Sequence, residues 1–209
     1  MNVGGLQTRL RNRLGTPSDD QGLPVNMLTD FINEANLQIA MEHDWPWRLT
    51  SATFPTVAGT SSYALPADHL RTRVLRIAQN RPLNERVLFD LEQTFYDDAT
   101  RGEPTDFAVE GANILLRPIP DRVYTLTHWY LKVEPALAKD TDVPLMPEMF
   151  QTSIVELAAY YAFRRTGYTE QAAIAEGAYQ KWIQKMHDKV RKTRQTLAVT
   201  VRPGAWENV

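Results

Sequence analysis

The sequence predicts an α+β fold: a helical bundle of N-terminal helices plus a C-terminal helical hairpin, an inserted antiparallel β section, and an extended C-terminal arm. Three observations predict it. Apolar residues up to about residue 48 recur at helical spacing. From Leu49 to Leu131 the pattern switches to a period near two, rich in β-branched and aromatic residues. From Pro147 the helical period returns. The expected boundaries are 1–48 and 145–195 for the bundle, 49–144 for the β subdomain and 196–209 for the arm. A chain of 209 residues with 43% hydrophobic content is long enough to bury a proper core.

The first helix follows from Leu6, Leu10 and Leu14, spaced by four, with Arg9, Arg11 and Arg13 on the other faces and Gly15 suited to its end. A polar loop over 16–22 follows. The second helix opens near Pro24, whose missing N–H has no helical partner there. Met27, Leu28, Phe31, Ile32, Ala35, Ile39 and Ala40 form its apolar stripe, and Asp30, Asn33, Glu34, Asn36 and Gln38 are assigned to the wet side. Pro46 ends it. Trp45, Pro46 and Trp47 are read as a structural corner, the two indoles plugging the place where helix meets sheet.

Leu49 to Val57 alternates as a strand, and a turn at 58–61 predicts that Ser62 to Leu65 pairs back as a hairpin. Arg71 to Ala78 is a further strand and Leu88 to Tyr96 a short helix. Three strands are expected over Asp106–Glu110, Asn113–Arg117 and Val123–Leu131, joined by short turns as an antiparallel meander. Bulk on both faces of the last one marks a central strand or an oligomer contact.

Residues 139–144 read as a linker. Pro147 then opens a helix to about Arg165, with Phe150, Ile154, Leu157 and Tyr161 inward and Gly167 capping it. Thr169 is the expected N-cap of the next helix. That helix turns Tyr179, Trp182, Ile183, Met186 and Val190 inward. Its short link to the preceding one predicts a helical hairpin. Past Arg194 the helical stripe fades, so Thr196, Leu197, Val199, Val201 and Trp206 are read either as an extended arm that docks on a partner or as a disordered tail.

Composition bounds the function. A net charge of −2 excludes a strong general polyanion binder, so any nucleic-acid contact rests on a local patch. The absence of cysteine excludes disulfides and thiolate sites. No apolar run approaches the roughly 20 residues that span a bilayer, and the N-terminus lacks a signal-peptide core. A soluble chain that is intracellular at least when made, without membrane contact, is the expectation. Phosphate-cradling glycine loops and nucleophile elbows are missing. The four histidines, His43, His69, His128 and His187, have no partners at ligand spacing. No cofactor is expected. Glu34 with Glu42 or Asp44 is a candidate carboxylate pair for a cell-wall glycosidase, although among 25 acidic residues some pairs fall close by chance. The clearest charge feature is the run Lys181, Lys185, Lys189, Arg191, Lys192 and Arg194, whose lysines share one helical edge. It is a solvated face or a contact for phosphates or an acidic partner surface, and it allows a DNA-binding regulator as a further alternative.

Several stretches, in this order, carry a resemblance. They are Phe31-Ile32-Asn33-Glu34-Ala35, Asp44-Trp45-Pro46-Trp47, Ala58-Gly59-Thr60 with Tyr63-Ala64-Leu65-Pro66, and Gly102-Glu103-Pro104. Ile114 to Pro120, the aromatic Trp129-Tyr130 and Asp140 to Pro144 continue the series. Over about residues 24–190 the chain resembles head-to-tail adaptors of tailed bacteriophages, the tail-accessory and tubular-protein group. The resemblance implies a non-enzymatic virion protein made in the host cytoplasm and placed at the head–tail neck. It implies a ring of about twelve copies, closed by repeated subunit contacts. The implied partners are further copies of the chain, the portal protein, a tail or next connector protein, and packaged double-stranded DNA in the channel. The ring would extend that channel, help retain the genome and give the tail its platform. It would also give the basic edge and the arm a portal or DNA contact.

Overall fold

The computed structural model describes residues 1–15, 23–77, 81–96 and 100–199, with side chains to Arg191. The protein is α+β, with five α-helices among the described residues and mostly antiparallel sheets. In chain order the elements begin with α1 (Val3–Leu14) and α2 (Val25–Glu42). The strands β1 (Leu49–Pro55), β2 (Ser62–Ala64), β3 (His69–Ile77), β4 (Arg81–Pro82) and β5 (Asn84–Glu85) come next, then α3 (Leu88–Thr94). After them stand β6 (Arg101–Gly102), β7 (Asp106–Glu110), β8 (Asn113–Arg117), β9 (Ile119–Pro120) and β10 (Thr125–Lys132). The chain continues through α4 (Thr152–Thr166) and α5 (Thr169–Val199). Two compact units result. One combines residues 1–47 with the chain from Glu134 onward, and the other is residues 48–133.

In the first unit α1, α2, α4 and α5 share one core. Leu6 and Leu10, Phe31, Ile32 and Ile39, Ile154 and Leu157, and Tyr179, Ile183 and Met186 are its main contributors. Each set repeats every three or four residues, so each helix buries one stripe. The small residues Ala158, Ala159 and Ala162 of α4 let neighbouring helices approach closely. Asn2 caps α1 through its side chain, which accepts from the Gly5 N–H at 3.1 Å. Gly167 sits at φ 83°, the left-handed position that ends α4, and its N–H returns to Arg164. The expected start of α4 at Pro147 is later by one turn. Glu148–Phe150 is a 3-10 turn, and the Gln151 amide donates to the Met146 carbonyl at 2.9 Å. Thr169, expected just outside α5, is its first residue.

The segment 134–145 is held by polar contacts. Asn33 donates to the Leu137 carbonyl at 2.9 Å and accepts the Leu137 N–H at 2.8 Å. Asn36 donates to Glu134 at 3.0 Å, and the same carboxylate oxygen accepts the Leu145 N–H at 3.1 Å. Asn36 and Glu134 are both buried. This corrects the assignment of Asn36 to the wet side: its partner lies 98 residues away, beyond any periodicity. The expected linker 139–144 is likewise ordered. Asp142 accepts the N–H groups of Ala138 and Lys139, which hold its carboxyl below the usual range. Its carbonyl accepts the Val3 N–H at 2.9 Å, satisfying one orphan donor at the start of α1.

In the second unit two four-stranded sheets, ordered β1-β10-β3-β4 and β2-β8-β7-β5, enclose a core of Leu75, Ile77, Phe107, Ile114, Leu116 and Leu126. A small β6-β9 pair completes it. β7 and β8 form the expected hairpin around Gly111, at φ 56°. The rest of the meander is corrected. β10 is central between β1 and β3, and β1 and β2 do not pair. Thr56 explains the crossing. Its hydroxyl donates to the Arg122 carbonyl and accepts the Tyr124 N–H, and its own N–H bonds the Tyr124 carbonyl. That fastens the end of β1 beside β10. The Tyr63 hydroxyl then bridges Val57 and Thr60 across the turn, and β2 leaves to join the other sheet at β8.

The extended arm is corrected in its first part. α5 continues through Thr196, Leu197 and Val199, since after Gly177 no proline or glycine follows until Pro203-Gly204. Val201 and Trp206 lie outside the described residues.

On the sheet built around β10, His128 is fully buried. Thr72 Oγ1 lies 2.9 Å from its Nε2 and 3.0 Å from His69 Nε2, and its Nδ1 has no hydrogen-bond partner. Burial, reinforced by His69, pushes His128 from 6.5 down to about 4. The folded unit therefore excludes a proton that the unfolded chain accepts below pH 6.5. Stability contributed here is complete above 6.5 and is lost as the pH falls toward 4. At about 1.4 kcal/mol per pH unit, acidification from about pH 7 to pH 5 should cost roughly 2 kcal/mol, read by urea unfolding. His128→Gln should flatten that slope; an unchanged slope in the variant would contradict this account.

Candidate functional site

The basic edge is on α5. Its buried positions are Ala172, Ala175, Tyr179, Ile183, Met186 and Val190, which rest against α4 and the shared core. Lys181, Lys185 and Lys189 are exposed. At about 100° per residue they stand roughly 130–170° around the helix from the mean direction of Glu176, Tyr179 and Gln180, which line a groove shared with α2. Lys185 Nζ sits 4.7 Å from the Trp182 ring centroid, a cation–π contact. Arg191 pairs with Asp188 at 3.3 Å in an exposed contact of little energetic weight. Lys192 and Arg194 continue the run on α5, with side chains beyond those described. Trp182, expected inward, is half-buried, because the edge of the core stripe and the lysine edge meet at its position.

On the other flank α2, α4 and α5 surround an open groove of about 510 Å³, lined by Glu34, Gln38, Tyr160, Tyr161, Arg164, Glu176 and Tyr179 among others. Tyr161 donates to Gln38 and Tyr179 to Glu42. Arg164 donates to the Tyr160 hydroxyl at 3.1 Å. Burial, with the charges of Glu34 and then Glu42 nearby, raises Tyr161 to about 12; Tyr179 moves the same way for the same first cause. Beside the groove, Glu34, Leu37, Gln38, Met41 and Glu42 line a second, shallower depression of about 400 Å³. Leu37 is 50% exposed and Met41 76%. The sequence does not announce the groove: its tyrosines come from α4 and α5 and converge only in three dimensions. The adjacent pair Tyr160-Tyr161 on one helix is the single local hint.

Glu34 and Glu42, the glycosidase candidates, are on one α2 stripe. Two helical turns and about 12 Å of backbone rise separate them, and Asp44, the other candidate, follows just beyond the end of α2. Among the described residues no cluster of His, Asp or Glu could hold a metal ion, and no helix is long and apolar enough to cross a membrane.

The structure places Trp45 in the core of the helical unit, fully buried, with its Nε1–H donating to the Ile39 carbonyl at 2.6 Å. That bond ties the indole to the last turn of α2. Trp47 stacks on it at 4.8 Å and 9°, and reaches Phe150 at 5.7 Å. His43 and His187 close the cluster at 5.0 and 5.1 Å from Trp45. The plug therefore joins α2, α5 and the 3-10 turn before α4. Pro46 is exposed and opens the short 3-10 turn Pro46–Arg48.

A family model, described as SU10 adaptor protein, matches residues 1–204. No curated protein matches the chain.

Trp45→Ala should destabilise the helical unit by about 3–5 kcal/mol, the usual cost of deleting a buried aromatic. Trp45→Phe should cost less, about 1–2 kcal/mol, from the lost hydrogen bond and the smaller ring. Circular dichroism under urea checks both, and equal losses would contradict the geometry.

Proposed function

The chain belongs to the SU10 adaptor protein family, the bacteriophage head-to-tail adaptors, and from that membership we propose that it forms a closed ring beneath the portal. The family is structural, and the chain is a structural adaptor of the phage particle. In the proposed reading the ring extends the DNA channel, helps retain the packaged genome and presents the tail with its platform. About twelve copies close it, each using the same two surfaces. The observation that carries the reading is the extent of the family match, which runs through both compact units and past the end of α5.

The geometry supports a protein that works by contact. Its aromatic plug and its asparagine clamp fix the helical unit, while Leu37, Met41 and Trp182 remain at the surface. The basic edge of α5 is offered, in this reading, to the phosphates of channel DNA or to an acidic protein surface. The chain after Thr196 reaches the portal.

Mass and symmetry of the purified chain, alone and with portal protein, test the proposal. A homogeneous ring that co-migrates with portal is expected; a chain that stays monomeric under both conditions would overturn it. Deleting residues 196–209 should weaken portal binding at least tenfold. Unchanged binding would remove the C-terminal segment from the contact.

A further inference from the structure

We propose that the acidic stripe of α2 receives the lysine edge of α5 from the next copy of this chain. The inference rests on the ring reading and assigns its subunit contact.

Three features carry it. The stripe and the edge are on different flanks of the same unit, since the lysines turn roughly 130–170° away from the side of α5 that lines the groove shared with α2. Two unlike patches on opposite flanks give a heterologous contact, which repeats around a ring; one patch meeting itself would stop at a dimer. The rows also match in pitch. Glu34, Gln38 and Glu42 recur every fourth residue, as do Lys181, Lys185 and Lys189, so both step by about 6 Å. Finally the chemistry is complementary. Carboxylates stand against ammonium groups, and the exposed Leu37 and Met41 supply apolar area for the Trp182 ring. An apolar centre flanked by paired charges is the usual anatomy of a specific interface. DNA would gain nothing from the α2 stripe, whose carboxylates repel phosphate.

The chain has no cysteine, so engineered ones report alone. Met41→Cys combined with Lys185→Cys, treated with a bis-maleimide linker, should give a ladder of covalent multimers on denaturing gels. Either single variant should give none. Rings of normal mass without a ladder in the double variant would overturn the contact and leave the ring standing. Covalent dimers from Met41→Cys alone would also overturn it, by showing a self-facing patch. A chain that never leaves the monomer overturns both readings.

Charge reversal gives the second arm. Glu34→Lys with Glu42→Lys should raise the concentration needed for assembly at least tenfold. Adding Lys181→Glu and Lys189→Glu to the same chain should restore it. No rescue, with salt-dependent duplex affinity that disappears in Lys181→Glu/Lys189→Glu, would assign the edge to DNA and overturn the proposal.

Discussion

The helical unit depends on a small buried polar contact. Its helices come from two stretches of chain that are far apart in sequence, and the second must find the first. Asn33 grips the Leu137 backbone through both its amide atoms, and Asn36 meets Glu134 in the interior. A buried carboxylate is costly unless it is fully hydrogen-bonded. Glu134 is supplied by the Asn36 amide and the Leu145 N–H, and that requirement selects one register for the returning chain. An apolar contact of the same area would tolerate sliding. The directional one does not, and the register it sets for the returning chain positions α4 and α5.

The same logic operates in the β unit. Thr56 uses its hydroxyl as donor and acceptor to end β1 beside β10. Asp106 is buried as well. Burial alone would raise its carboxyl, but bonds from Thr105, Arg86 and Asn84 bring it below the ordinary value. Apolar surface drives both units to collapse, while a few satisfied polar groups decide which collapsed arrangement is native.

This division explains which elements are legible in the sequence. The bounds of β7 and β8 are readable because alternation flanks a turn that needs glycine at positive φ. The stripes of α1 and α2 are readable because one face of each helix is apolar. The lysine edge is readable because four-residue spacing has one geometric meaning on a helix. Partners distant in sequence are not readable. Asn36 looks solvent-facing until Glu134 is beside it. β2 looks like the return strand of β1 until Thr56 commits β1 to β10. The helix running on through Val199 is a different case: β-branched residues suggest a strand, and their modest helix penalty is outweighed by propagation from a long preceding helix. The groove tyrosines and the cation over Trp182 are also products of convergence between helices or turns.

The divided path of the helical unit has a consequence in time. α1 and α2 leave the ribosome first, and the whole of residues 48–133 must be made before Glu134 appears. At about 5–20 residues per second that interval is on the order of ten seconds. Throughout it the stripe of Phe31, Ile32 and Ile39 has no α4 to cover it. The α4–α5 pair, joined only through Gly167 and Tyr168, closes locally and fast once made. Folding is therefore limited by the wait for a late partner, and nascent copies crowded on one message carry an exposed helix face during it.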